Sequence, residues 1–228
     1  MLIYLDMDGV CVNFVKGACI AHNYNYADVI ESWPKGTYNI CKILGISESD
    51  FWTTIVSWGE QFWLNLQAYT WYSKLASLPY DIVYLSTPTL SPFSVSGKLS
   101  WLQAQYGHRF RDYIFTPHKH LLAKSGGILI DDSESNVNKY IEAGGRAILF
   151  PQPWNHGIEV EDRTDYLFKQ LTKPMSMVEA RCLMNGTGCH HKWSDWKERN
   201  GFLIFGKQLP LERKCLRCGH VETIGDMR

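Results

Sequence analysis

The chain reads as an α/β protein: a parallel sheet flanked by helices, a mostly helical insertion after the first strand, and a small, compositionally distinct C-terminal segment. Three observations predict this. Short apolar runs alternate with stretches of helical period, the pattern of parallel strands joined by right-handed crossovers. Several runs end in a polar, reactive residue, at the edge where open α/β sheets keep their ligands. Composition then changes near Thr172-Lys173-Pro174, after which four cysteines and three histidines appear.

The first element is Leu2-Ile3-Tyr4-Leu5, a buried strand running into Asp6-Met7-Asp8-Gly9-Val10. On an extended chain, i and i+2 point to one side, so the two carboxylates face together. Such a pair suits a divalent metal, or a nucleophile beside a proton carrier. A calcium loop also uses Asp-x-Asp, but its later acidic ligands are missing here. From Asn13 to about Ser77 the chain is aromatic-rich and broken by turns such as Trp33-Pro34-Lys35-Gly36; five of the nine tryptophans lie there. Ser47 followed by Asp50 predicts a helix start. We read the segment as helical and inserted between two strands, its rings forming core or a platform for a planar base.

Tyr80–Leu85 is the second strand, ending in Ser86-Thr87-Pro88. A helix is expected from about Ser94 to Gly107, with Val95, Leu99, Leu102 and Tyr106 as its apolar face. Tyr113-Ile114-Phe115 is a short strand, with Lys119 just after it. Gly127–Ile130 ends in Asp131-Asp132, and a helix then runs to Ala143 before Gly144-Gly145. Ala147–Phe150 is the next strand, followed by Pro151-Gln152-Pro153-Trp154-Asn155. Asp165–Leu171 is the last helix of the core.

Composition narrows the class. The chain has 228 residues, 45% apolar and 20% charged, enough to bury roughly 70% of its unfolded surface without disulfides. Net charge is zero, which gives no global pull toward nucleic acid or anionic membrane. The sign is uneven: residues 1–171 hold 13 Lys/Arg against 17 Asp/Glu, residues 172–228 hold 10 against 6. No apolar run spans a bilayer, and no signal peptide is expected before the first strand. Seven cysteines, odd in number and unevenly spread, fit a reducing cytoplasm.

Four strand ends thus carry Asp6/Asp8, Ser86/Thr87, Lys119 and Asp131/Asp132, and a parallel sheet brings them to one edge. Carboxylates gathered around one point repel unless a cation joins them. Oxygen ligands without His or Cys argue for Mg²⁺, and a lysine and hydroxyl beside the metal suit phosphate. In this order of motifs the chain resembles the haloacid dehalogenase (HAD) phosphohydrolases over residues 2–171. Within them it resembles the 5'(3')-deoxyribonucleotidases, through Asp-Met-Asp-Gly-Val with Phe14, Phe62-Trp63 and Ser86-Thr87-Pro88, with Gly97–Trp101 and Pro151–Asn155 in support.

The resemblance implies a HAD core of residues 1–14 and 78–171 and a helical cap of residues 15–77. It implies Asp6 as nucleophile and Asp8 as proton carrier. Mg²⁺ would bind Asp6, the Asp8 carbonyl, and Asp131 or Asp132. Ser86 and Lys119 would hold the phosphoryl group, with Thr87 and Lys98 at further phosphate-contacting positions. Phe14 would pack on the base, and Trp58, Phe62 and Trp63 are candidates for the rest of an aromatic slot. The expected partner is a small nucleotide, with the preferred base and the oligomeric state left open. Two departures stand out: Ser86 where the family usually has Thr, and Pro117-His118 where relatives carry a more polar pair.

Residues 172–228 form a separate expectation. Cys215-Leu216-Arg217-Cys218-Gly219 is a knuckle that suits two thiolates on one metal. With the upstream Cys and His residues it resembles short Cys…His-x-Trp…Cys-x-x-Cys-Gly zinc modules. By that likeness the Zn²⁺ ligands are Cys182, His191, Cys215 and Cys218, with Cys189 the rival to Cys182. So few aliphatics could hardly fold without the metal. A structural or docking role is favoured over nucleic-acid binding. Two alternatives remain: a phosphatase of nucleic-acid ends guided by this module, and a HAD phosphatase of another small ester.

Overall fold

Leu2–Leu5 forms β1 at the centre of a five-stranded sheet because it is apolar on both faces. Ile3 and Leu5 enter one hydrophobic cluster and Tyr4 the other, as a strand covered by helices on both sides requires. The computed structural model describes residues 1–157 and 159–173, and beyond them three short strands. The chain divides into two units, Met1–Pro174 and Met175–Arg228.

In the first unit, β1 is followed by six short helices: α1 (Phe14–Ala21), α2 (Tyr26–Glu31), α3 (Ile40–Leu44), α4 (Glu48–Ser57), α5 (Glu60–Leu64) and α6 (Tyr72–Ala76). The expected start of α4 is present. Asp50 N–H donates to Ser47 Oγ at 3.0 Å, and the Ser47 hydroxyl donates back to Asp50 Oδ2 at 2.7 Å. Then come β2 (Asp81–Ser86), α7 (Pro92–Tyr106), β3 (Tyr113–Phe115), a 3₁₀ helix (Lys119–Ser125), β4 (Ile128–Asp131), α8 (Glu134–Glu142), β5 (Arg146–Leu149) and α9 (Arg163–Thr172).

All neighbouring strands are parallel, in the order β3-β2-β1-β4-β5. The chain builds outward from β1 to β3, then returns to β1's other side. That reversal puts a topological switch point between β1 and β4, where such sheets open a crevice at their carboxyl ends. Asp6 and Asp131 lie at the two ends that flank it.

The face expected for α7 is corrected. Val95 and Tyr106 are exposed, and the buried positions are Ser94, Gly97, Lys98, Trp101 and Leu102. Hydrophobicity alone missed this face because a small residue and a charged one hold its middle. A Cβ at Gly97 would lie 2.5 Å from Trp63 Cβ and 2.7 Å from the Glu60 carbonyl oxygen, so α5 packs against bare backbone there.

The second unit holds β6 (Lys197–Glu198), β7 (Leu211–Lys214) and β8 (Val221–Ile224). They form an antiparallel sheet in that order, with Lys214 opposite Val221.

Gly97→Ala raises intrinsic helix propensity by about 1 kcal/mol, yet overpacking in a filled interface costs typically about 1–3 kcal/mol. A lower melting temperature is expected by calorimetry; an unchanged or higher one would contradict the packing described.

Candidate active site

The sheet ladder continues past the strand ends and sets the register of the reactive residues. Asp6 N–H donates to the Ile130 carbonyl at 3.0 Å, Phe150 N–H to the Asp131 carbonyl at 2.9 Å, and Thr116 N–H to the Ser86 carbonyl at 3.0 Å. Four separate segments are thereby brought to one edge.

Two buried ammoniums organise the charges there. Lys119 Nζ donates to Asp6 Oδ1 at 2.7 Å and to Asp131 Oδ2 at 2.6 Å. Lys98, only 1% exposed, donates to Asp8 Oδ2 at 2.5 Å, Ser86 Oγ at 2.8 Å and the Thr87 carbonyl at 3.1 Å. Asp131 also accepts from the Ser133 N–H at 2.8 Å and from Asn136 Nδ2, so both its oxygens are engaged. Asp132 instead accepts from Trp154 Nε1 at 2.5 Å.

Gly9 makes the turn possible. Its φ is +77°, and a Cβ there would overlap the Asp132 carboxylate, so any side chain meets both strain and collision. The loop after β5 fastens this turn to β4's end. Gln152 Nε2 donates to the Gly9 carbonyl, and Asn155 Nδ2 to the Asp132 carbonyl at 2.8 Å and the Phe150 carbonyl at 2.9 Å.

Fully ionised, four carboxylates and two ammoniums would leave two uncompensated negative charges here. Burial pushes Asp6 from an ordinary 3.8 up to about 7; Lys119 opposes this, and the charges of Asp131 and Asp8 add to it. Asp132 is raised well above its ordinary value, by burial first and then by Asp6 and Asp131. Burial works against the Lys119 ammonium, but Asp131 and Asp6 outweigh it and the net shift is upward. Ligand oxygens of Asp6, Asp131 and Asp132 lie within 4.8 Å of one another, and the buried Asp8 Oδ1 has no hydrogen-bond partner among the described residues. An all-oxygen donor set with two uncompensated charges fits a hard divalent cation.

A cavity of about 760 Å³ reaches this cluster. Asp6, Asp8, Thr87, Lys119 and Asp132 line it, and so do Phe14, Phe51, Trp52 and Trp63. Phe14 stacks on Trp63 with centroids 5.8 Å apart. Of the rings expected in the slot, Phe62 is buried edge-on to Phe14 at 5.7 Å, outside the lining. Trp58, also expected there, lies at the C-terminal end of α4, 49% exposed and outside the cavity lining. The chain turns sharply at Gly59, whose φ is +60°, so α4 stops before Trp58 can join the wall. Phe51 and Trp52 stand there instead. The Zn²⁺ positions Cys182, His191, Cys215 and Cys218, and the rival Cys189, lie outside the described residues.

A doubly wound parallel sheet with paired carboxylates and lysines at its switch point is that of a HAD-type phosphohydrolase. More narrowly, the chain belongs to the 5' nucleotidase, deoxy (pyrimidine), cytosolic type C family, which matches residues 54–178. The match takes in Ser86, Lys98, Lys119, Asp131 and Asp132; Asp6 and Asp8 lie before it and join through the contacts above. No curated protein matches the chain. Among the described residues no helix is long and apolar enough to cross a membrane.

Gln152, Trp154 and Asn155 were visible as a Pro-Gln-Pro-Trp-Asn run, but no spacing rule connects an indole to a carboxylate 22 residues away. Trp154→Phe removes one hydrogen bond to a charged acceptor. Partners of ligating groups typically carry about 10–100-fold in metal affinity, so about tenfold weaker Mg²⁺ binding is expected by calorimetric titration; unchanged affinity would refute the role.

The raised Asp6 value has a direction. The folded chain holds this proton where the unfolded chain has lost it, so Asp6's contribution to stability falls as pH rises from about 4 to about 7. Metal-free protein is expected to lose melting temperature between pH 5 and pH 8, by less in Asp6→Asn, and Mg²⁺ to stabilise more at pH 8. Equal pH dependence in the two proteins would contradict this.

Proposed function

We propose that the chain is a Mg²⁺-dependent phosphatase that hydrolyses deoxynucleoside monophosphates to nucleoside and phosphate. The observation that carries this reading is the placement of Asp6 and Asp8, each tied to its own buried lysine, in a cavity walled by aromatic rings. Asp6 is the nucleophile. Its carboxylate oxygen attacks phosphorus, and the bond to the ester oxygen breaks with its electron pair leaving on that oxygen. Asp8 gives the leaving oxygen its proton, and an aspartyl-phosphate remains on Asp6. Asp8 then takes a proton from water as the water oxygen attacks phosphorus, which releases inorganic phosphate and restores Asp6.

Ser86 and Lys119 hold phosphoryl oxygens, with Thr87 and Lys98 in reach of the same group. Asp6, the Asp8 carbonyl and Asp132 would hold the metal; Asp131 is the lesser candidate because its oxygens already accept from Lys119, Ser133 and Asn136. When bound, Mg²⁺ neutralises the charge between nucleophile and phosphate. Phe14 and Trp63 offer faces to a planar base, with Phe62 supporting Phe14. In this reading residues 1–14 and 78–171 are the catalytic core, and residues 15–77 are the cap that supplies the slot.

Residues 172–228 are a zinc-binding module in the same proposal, with Cys182 (or Cys189), His191, Cys215 and Cys218 as ligands. Its support is the Cys215-Leu216-Arg217-Cys218 spacing with Cys182, Cys189 and His191 upstream. The family's description as cytosolic and the free thiols of Cys11, Cys19 and Cys41 support a cytoplasmic place of work.

The test is a substrate panel of deoxynucleoside and ribonucleoside monophosphates, sugar phosphates and end-phosphorylated oligonucleotides, with Mg²⁺ and with EDTA. Turnover of free nucleotides, lost with EDTA and in a folded Asp6→Asn variant by at least about 10³-fold, is expected. Activity on oligonucleotides alone, lost in a chain ending at Leu171, would replace this reading with the nucleic-acid-end phosphatase.

A further inference from the structure

The buried face of α7 carries one charge, Lys98, between Gly97 and Trp101. Burying an ammonium is costly unless its N–H groups are all met. Here they are. An ammonium has three donors, and Lys98 Nζ gives them to Asp8 Oδ2 at 2.5 Å, Ser86 Oγ at 2.8 Å and the Thr87 carbonyl at 3.1 Å. The Trp63 ring, 4.9 Å from the same nitrogen, adds a cation–π contact. Lys98 therefore has no N–H left for a phosphoryl oxygen, although the family resemblance puts it among the phosphate contacts.

Lys98 also stands behind the cavity wall. Asp8, Thr87 and Lys119 line the cavity, and Lys98 does not. Asp8, in turn, depends on Lys98. Its Oδ1 has no hydrogen-bond partner among the described residues, and its Oδ2 is the oxygen that Lys98 holds. One contact thus sets how the carboxylate is turned. The Asp8 side chain is 28% exposed, so a carboxylate released from Lys98 is free to rotate toward water.

We propose that Lys98 is a positioning residue: it holds the Asp8 carboxylate in the orientation from which a proton passes to the leaving oxygen. This rests on the nucleotidase reading and refines it. A phosphate contact serves every phosphate ester alike. A residue that works through Asp8 matters most where the leaving oxygen needs a proton. A sugar alkoxide needs one as its bond to phosphorus breaks, whereas p-nitrophenolate departs without it. In Lys98→Met, kcat/KM falls about 10²-fold on a deoxynucleoside monophosphate, and by at least about tenfold less on p-nitrophenyl phosphate.

The experiment measures kcat/KM on these two esters, with Mg²⁺, for wild type, Lys98→Met and Lys98→Gln. A loss concentrated on the nucleotide supports the proposal. Equal loss on both esters overturns it, as does unchanged nucleotide turnover. A second arm compares Asp8→Asn with Asp8→Asn/Lys98→Met, which leaves neither charge of the pair alone and decides the matter where the single Lys98 variants do not fold. With Asp8 already disabled, the Lys98 change is expected to cost no further nucleotide turnover; a further loss, or a double variant that does not fold, overturns the proposal. Wild type that hydrolyses p-nitrophenyl phosphate but no nucleotide overturns the nucleotidase reading and this one with it; wild type active on both esters, with equal losses in the variants, overturns this one alone.

Discussion

The fold is organised around an electrostatic crowding that it does not fully relieve. Asp6, Asp8, Asp131 and Asp132 meet at the ends of two neighbouring strands, and among the described residues Lys98 and Lys119 pair with them. In a low-dielectric setting, like charges at this separation push protons back onto carboxylates, and Asp6 and Asp132 are both raised. The tension is useful. A site two charges short of neutral is poised for a divalent cation and, through it, for a phosphate that bare carboxylates would repel.

Rigid backbone supports that crowding. The parallel ladder extends one residue past β1, β3 and β5, Gly9 brings its turn against Asp132, and the 152–155 loop fastens Gly9 and Asp132. A set of repelling groups held by side chains alone would spread apart. Held by strand register it cannot, because moving one carboxylate means breaking backbone hydrogen bonds in a buried sheet.

The aromatic wall follows a different logic. Phe14, Phe51, Trp52 and Trp63 come from α1, α4 and α5, helices too short to be stable alone. Their rings pack on each other, and α5 packs on α7 through the bare backbone at Gly97. Lys98 is the next residue along, its ammonium 4.9 Å from the Trp63 ring. One helix face thus sets both the slot's wall and Asp8's partner.

The parallel sheet, the convergence of Asp6, Ser86, Lys119 and Asp131/Asp132, and the start of α4 at Ser47 were all legible in the sequence. Each depends on local pattern: an apolar run, the residue that ends it, a cap. What depends on distance in space was not. The face of α7 eluded hydrophobic counting because Gly97 and Lys98 are buried for reasons of fit and charge pairing, not hydropathy. Trp58 could not be told from Trp52 by composition, since the turn at Gly59 decides which ring is exposed. Trp154's bond to Asp132 emerges only when loops far apart in the chain are packed together. Order along the chain determines which groups arrive at the sheet's edge; only the packed chain decides which of them are already satisfied and which are left for a ligand.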